Sequence, residues 1–380
     1  MDRADLIDTT RRVLKCLADK TLETAPDVES YPSSIFTDAA VWRRERERLF
    51  LDIPHVVGYA SEVAHADDYL TRDVAGVPVL VVRDTDGVLR AFLNACGHRG
   101  ARVAVGSGCA KRFTCGYHSW TYDSRGQLAS IPAKSMFSGM DRDQARLQPL
   151  PVSDEAGLIV VGLRPHVEVA GWLDSIRPAL ADCRFDTVTP IANSTVTVAA
   201  NWKLSVDVNF EGYHFPAVHP TTLHPIATGN ASYDLYGQHC RWAFPMRHIE
   251  ELQHQPEDEW PEHFVGTVVY FFYPSCVLVE AGETKQLLRI YPGTHPGESI
   301  VDIAYSVTSV LTEDDRANHL LSFQFVTDLL CNEDFPMAEQ CQAGLVAGRD
   351  RIVVGRNEPL LQHLHHLWAA ALTDHGPVSP

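Results

Sequence analysis

The chain has 380 residues, 45% of them hydrophobic, and carries 32 Lys and Arg against 49 Asp and Glu for a formal charge of -17. This is enough apolar material for cores in more than one unit, and the acidic excess argues against a nucleic-acid partner, which needs clustered cations. No apolar run approaches the roughly 20 residues of a membrane span, and Met1-Asp2-Arg3-Ala4-Asp5-Leu6 lacks the charged-then-apolar pattern of a secretory signal, so the expected compartment is the cytoplasm. Nine cysteines, an odd number spread from Cys16 to Cys341, do not make a disulfide framework; most are expected as small buried hydrophobes, with a few left for metal.

Residues 1–50 are expected to be helical, including the charged run Trp42-Arg43-Arg44-Glu45-Arg46-Glu47-Arg48-Leu49, which looks like a solvated helix face. From 51 to 155 the texture changes to short β-branched runs such as Val77-Pro78-Val79-Leu80-Val81-Val82-Arg83, broken by the turns Thr85-Asp86-Gly87 and Ser124-Arg125-Gly126, and predicts a small all-β domain. From 156 to 380, strand-like segments (195–198, 267–272, 300–307) alternate with helical ones (313–330, 359–372). The whole is α+β, with an antiparallel sheet and helices in the larger second domain, the N-terminal helices packing on it, and a polar tail over 374–380.

Inside the β domain, Cys96-Gly97-His98 is followed, after sixteen residues, by Cys115-Gly116-Tyr117-His118. Each half offers one thiolate and one imidazole, the donor set of a Rieske centre, in which two cysteines hold one iron and two histidines the other. A Cys2His2 zinc site uses the same donors, but Cys-x-His packs its first pair into a tighter loop than zinc motifs favour. Cys109 is no substitute for Cys115, because no histidine follows it at two or three residues.

The runs Asn94-Ala95-Cys96-Gly97-His98-Arg99-Gly100-Ala101 and Phe113-Thr114-Cys115-Gly116-Tyr117-His118-Ser119-Trp120-Thr121-Tyr122 resemble the Rieske signature of aromatic-ring-hydroxylating oxygenase large subunits. In that family the arginine after the first pair and the aromatics beside the second frame the cluster. Gly97 departs from the pattern, where the family often has arginine, and leaves all four ligands in place.

A second constellation lies in Asn201-Trp202-Lys203 and Glu211-Gly212-Tyr213-His214-Phe215-Pro216-Ala217-Val218-His219. Two histidines with nearby acids suit a facial triad of two histidines and one carboxylate on Fe(II), with positions left open for O2 and substrate. A five-residue step is about 500 degrees of ideal helix, so the two rings need Pro216 to end or kink the helix between them. The segment is similar to the iron-binding stretch of the same family, which implies His214 and His219 as ligands. Asp334, in Asn332-Glu333-Asp334-Phe335-Pro336, resembles the family's carboxylate ligand, with Glu333 and Glu339 as alternatives. The resemblance also implies that Glu211 links His118 of a neighbouring subunit's cluster to His214. Asn209 and Asp207 are candidates to orient the ligands. His224 and the C-terminal His363, His365 and His366 are set aside as further ligands, the last three as surface or interface residues.

The resemblance implies an oxygenase component with one [2Fe-2S] cluster and one mononuclear Fe(II) per chain, O2 as co-substrate, and mono- or dioxygenation, including oxidative demethylation, of a small organic molecule, with aromatic acids, alicyclic acids and quaternary amines equally admissible. Electrons would come from a separate NAD(P)H-dependent flavin and iron-sulfur reductase, sometimes through a ferredoxin, since no Gly-x-Gly-x-x-Gly fingerprint occurs here. The expected assembly is a homotrimer or a multiple of three, with or without a β subunit. The alternative is an electron carrier or sensor, which would need only the segment from Cys96 to His118. The aromatic middle of the chain (236–245, 270–273) suits either a cage for a quaternary ammonium or ordinary sheet packing, and packing is the simpler reading.

Overall fold

The computed structural model describes residues 1–309 and 311–373; the tail expected at 374–380 lies outside them. The chain forms two compact units, one from 1–49, 174–184 and the residues from 189 on, the other from 50–173 and 185–188.

The smaller unit is all-β. Val77–Arg83 is central in a five-stranded antiparallel sheet ordered Pro149–Leu150, Leu89–Leu93, Val77–Arg83, Asp68–Val74, Ser107–Cys109. Two three-stranded sheets accompany it, Arg112–Thr114 with Thr121–Asp123 and Leu128–Ser130, and Val152–Glu155 with Leu158–Val161 and His55–Tyr59. Both expected turns close by one device: Asp84 Oδ1 accepts from the Asp86 and Val88 amides, and Asp123 Oδ1 from those of Arg125 and Gln127. The boundary expected at 155/156 falls in the turn of a hairpin whose second strand, Leu158–Val161, is wholly buried and pairs with His55–Tyr59, so the unit continues to Leu173.

The larger unit is built on a seven-stranded antiparallel sheet ordered Thr189–Val198, Ser299–Val307, Thr284–Pro292, Cys276–Ala281, Gly266–Phe272, His239–Pro245, Ser232–Tyr236. The interior strand Gly266–Phe272 is buried along nearly its whole length because both faces are covered. On one face Phe271 meets Phe210 and Trp368, and Trp368 meets Trp202, which seats the helices Trp202–Asp207 and Pro359–Ala371. On the other, the buried Arg241 is held by Asp5 and Thr9 of helix Arg3–Asp19 and by Asp234.

Three expectations are corrected here. Residues 1–50 are not all helical: Glu29–Pro32 is a strand that pairs antiparallel with Arg351–Val354. The charged run is not all solvated, since Glu45 is 1% exposed and accepts from Lys203 Nζ at 2.5 Å and Trp202 Nε1 at 3.0 Å. Nor is His365 a surface residue. It is 2% exposed, stacks on Tyr31 with ring centroids 4.7 Å apart, and meets Asp207 Oδ2 at 3.1 Å.

Burial pushes the Lys203 ammonium down while Glu45 holds it up, so neither charge can be removed alone without stranding the other. Glu45→Ala is expected to destabilise the larger unit by about 3–5 kcal/mol, measured by denaturant unfolding, whereas replacing both partners by apolar residues of similar volume should recover most of the loss.

Candidate metal centres

Cys96 and Cys115 sit in two loops with the same backbone wiring. In each, the cysteine carbonyl accepts from the amide four residues on (Gly100 or Ser119, both 2.8–2.9 Å), and the cysteine amide donates to the carbonyl five residues on (Ala101 or Trp120, both 2.8 Å). The fourth residue has positive φ in both, 77 degrees at Gly100 and 58 degrees at Ser119, which turns each loop back beneath its ligands. Asn94 staples the first loop, accepting from the Val103 and Ala104 amides and donating to the Ala104 carbonyl. Gly97 is required sterically, because a Cβ there would meet the Ala145 carbonyl oxygen at 2.4 Å.

The loops bring His98 and His118 together with ring centroids 4.6 Å apart, while both thiols are buried. His98 is stacked on Trp120 at 4.8 Å with 9 degrees between planes, and Phe137 meets it edge-on. Its Nδ1 is buried and has no hydrogen-bond partner among the described residues. Burial first, then the charges of His118 and Arg99, lowers its basicity and favours the neutral imidazole that binds metal. Two thiolates inside, two imidazoles towards solvent and a bare ring nitrogen fit a [2Fe-2S] cluster. Phe137 and the contact of Tyr122 with Cys96 were not visible from motif spacing.

In the larger unit, His214 Nε2, His219 Nε2 and Asp334 Oδ1 form a triangle with edges of 3.2, 3.1 and 3.4 Å. Three donors about 2 Å from one ion and at right angles to each other stand about 3 Å apart, so the triangle fits one face of an octahedron. Pro216 acts differently from expectation. It does not end a helix but opens the one-turn helix Phe215–Val218, where its missing N–H is harmless; His214 precedes that turn and His219 follows it, so the rings converge around it.

The ring nitrogens that face away from the triangle are both taken by carboxylates. His214 Nδ1 pairs with Glu211, which also accepts from the Tyr213 and His214 amides, and His219 Nδ1 pairs with Glu333 at 2.5 Å. Burial alone would lower the His214 pKa, but hydrogen bonds to Asp334 and Glu211 raise it to about 9; burial likewise pushes Asp334 up, yet the two imidazoles hold it below the usual carboxylate range. The pocket is therefore built to stabilise positive charge at the meeting point of the three donors.

Other expected site residues are directed elsewhere. Asn209 turns its amide back to the Ser205 carbonyl at 2.9 Å, closing the end of helix Trp202–Asp207, and Asp207 pairs with His365; neither is a partner of the two ligand imidazoles. Glu339 accepts from the Ala199 amide, and His224 packs under Arg247. Beside the triangle, Phe215 has its ring centroid 5.1 Å from His214 and 5.8 Å from His219, with Phe244 5.4 Å and Trp242 6.1 Å further on.

Residues 185–374 match the family model described as the ring hydroxylating alpha subunit (catalytic domain), and residues 53–148 match the Rieske [2Fe-2S] domain. The carnitine monooxygenase oxygenase subunit of Escherichia coli (strain K12) is 27% identical over 365 residues, spanning 90% of this chain and 94% of that protein. The chloroplastic choline monooxygenase of Spinacia oleracea is 26% identical over 327 residues, 84% of this chain and 72% of that protein. In solved structures, the fold matches the quaternary ammonium Rieske monooxygenase CntA with L-carnitine (TM-score 0.77, 22% identity, 92% of this chain and 97% of that one). It also matches naphthalene 1,2-dioxygenase from Rhodococcus sp. bound to indole (TM-score 0.74, 20% identity, 98% and 99%).

Proposed function

The chain belongs to the family of ring-hydroxylating oxygenase alpha subunits, with a Rieske domain ahead of its catalytic domain, and we propose that it is a monooxygenase acting on a small quaternary ammonium compound. The cofactors are a [2Fe-2S] cluster and a mononuclear iron, which supply stored electrons and the reductive activation of O2. Cys96, Cys115, His98 and His118 would hold the first, and His214, His219 and Asp334 the second.

The observation that carries the substrate class is the setting of the triad. Three carboxylates, Glu211, Glu333 and Asp334, surround two imidazoles that act as neutral ligands, so a divalent ion leaves a net negative charge, and the ring of Phe215 stands beside it, backed by Phe244 and Trp242. A quaternary ammonium is stabilised both by that charge and by aromatic faces, and it has no proton to lose. Relatives named for carnitine and choline support the same class. An electron carrier would have no use for a second set of donors in the larger unit.

Electrons reach the protein from a reductase, as is normal in this family. In our reading Glu211, fixed on His214 and next to the exposed Tyr213, extends the path from the neighbouring subunit's His118, within a cytoplasmic homotrimer. Within the smaller unit Tyr122 adjusts the first step. Its hydroxyl accepts from the Gly97 amide at 2.9 Å, which turns its proton to Cys96 Sγ at 3.2 Å. Because hydrogen bonds to cluster sulfur stabilise the reduced form, Tyr122→Phe should lower the cluster's reduction potential without loss of the cluster, as followed by redox titration.

The test of function is a single turnover: reduced protein, 18-O2, and a panel of quaternary amines, aromatic acids and alicyclic acids, with products read by mass spectrometry. One labelled oxygen in a product from a quaternary amine is expected. Two labelled atoms in a ring diol, or turnover of the acids alone, would overturn the proposal.

A further inference from the structure

We infer that Glu333 is a positioning residue that fixes which nitrogen of His219 is free to bind metal; this rests on the reading of His214, His219 and Asp334 as an iron site. Glu333 and Asp334 are consecutive, yet both meet the same imidazole: Glu333 Oε2 at Nδ1 (2.5 Å) and Asp334 Oδ1 at Nε2 (3.1 Å). Neighbours on an α-helix point about 100 degrees apart. Here the residues lie in the π-helical turn Leu330–Asp334, set between the helices Glu313–Leu329 and Phe335–Val346, and the longer arm of glutamate reaches around to the far side of the ring. Such widened turns recur at functional sites.

The clamp matters because Asp334 can defeat its own site. A neutral imidazole carries one proton, on either nitrogen. With the proton on Nε2, His219 donates to Asp334, and two of the three donors are spent on each other. With the proton on Nδ1, Nε2 and Asp334 both face inward as lone pairs. Glu333 decides between these states, since a carboxylate only accepts and so demands the proton on Nδ1. It is itself held, by Thr222 Oγ1 at 2.7 Å, and Thr222 lies three residues after His219. Glu333 is 24% exposed at its side chain against 6% for Asp334, and it meets His219 at Nδ1 and is not one of the three converging donors, which separates it from the ligand role considered for it in the sequence.

The test uses full-length protein with its cluster intact and the mononuclear metal removed by chelator, titrated with Co(II) against a competing chelator. Glu333→Ala is expected to weaken Co(II) binding by about 10–100-fold with the cluster's visible spectrum unchanged. Glu333→Gln, whose amide either accepts from Nδ1–H or donates to a bare Nδ1, should weaken it less, and it decides the matter if the alanine variant does not fold. Parent-like affinity in the folded alanine variant, or in the glutamine variant where alanine does not fold, overturns the inference. Asp334→Ala distinguishes the two levels: if that variant also binds Co(II) like the parent, the iron-site reading itself fails, whereas loss there with no change at Glu333 rejects only the positioning role.

Discussion

Asp334→Ala is expected to abolish product formation and mononuclear metal binding while the cluster's visible and EPR signals stay as in the parent. Among the described residues, Asp334 Oδ1 is the one carboxylate oxygen placed against both Nε2 atoms, at 3.1 and 3.4 Å, and Asp334 is 5% exposed, so water has little room to replace it. Its removal leaves two donors where a facial set needs three. The loss should exceed the roughly 10–100-fold that follows from deleting an outer partner of a ligand. The four cluster residues belong to the other compact unit and are held by their own loops, so they report independently. Metal analysis, EPR of the reduced protein and product assay on one sample check the three parts. Joint loss of the cluster and the iron would count against the assignment.

Glu211→Gln is expected to keep both metals yet slow reoxidation of the reduced cluster in the presence of O2 and substrate by at least about 10–100-fold, as followed by stopped-flow absorption. Alanine is the wrong substitution for this purpose. Glu211 accepts from His214 Nδ1 and from two backbone amides, so deleting it would also unfasten a ligand. Glutamine can keep its carbonyl oxygen on the imidazole, giving up the two backbone-amide contacts, and removes the charge that would face the neighbouring subunit. Unchanged reoxidation in the glutamine variant would remove the bridging role. Metal loss in that variant would instead assign Glu211 to holding His214.

What the sequence made legible, and what it did not, follows the range of the interactions involved. Cys96, His98, Cys115 and His118 could be picked out because each loop is closed by hydrogen bonds spanning four or five residues, so spacing carries geometry. The strand Val77–Arg83 was visible in its β-branched run, and the helix Glu313–Leu329 in the helical pattern over 313–330. Asp334 lies 115 residues beyond His219, and no local pattern separates it from Glu333; only the ring nitrogen each meets does so. His365 was misjudged for the same reason. Three histidines on one amphipathic helix look like a polar face, and the residue that buries one of them, Asp207, is 158 positions away. Pro216 was assigned a helix break from its chemistry alone, whereas its position within the turn makes it a helix start.

The pairing of Glu29–Pro32 with Arg351–Val354 sets an order of events for the nascent chain. The larger unit takes some residues from before the β unit and its seven-stranded sheet from after it, so the strand Glu29–Pro32, made ahead of the β unit, waits for Arg351–Val354, made well after it. Closing so long a loop in an open chain is slow and entropically unfavourable, but a compact β unit in between shortens the effective tether. Assembly should therefore proceed from the inside outward, with the electron-storing unit complete before the oxygen-activating one can close, so that iron loading at His214, His219 and Asp334 comes late.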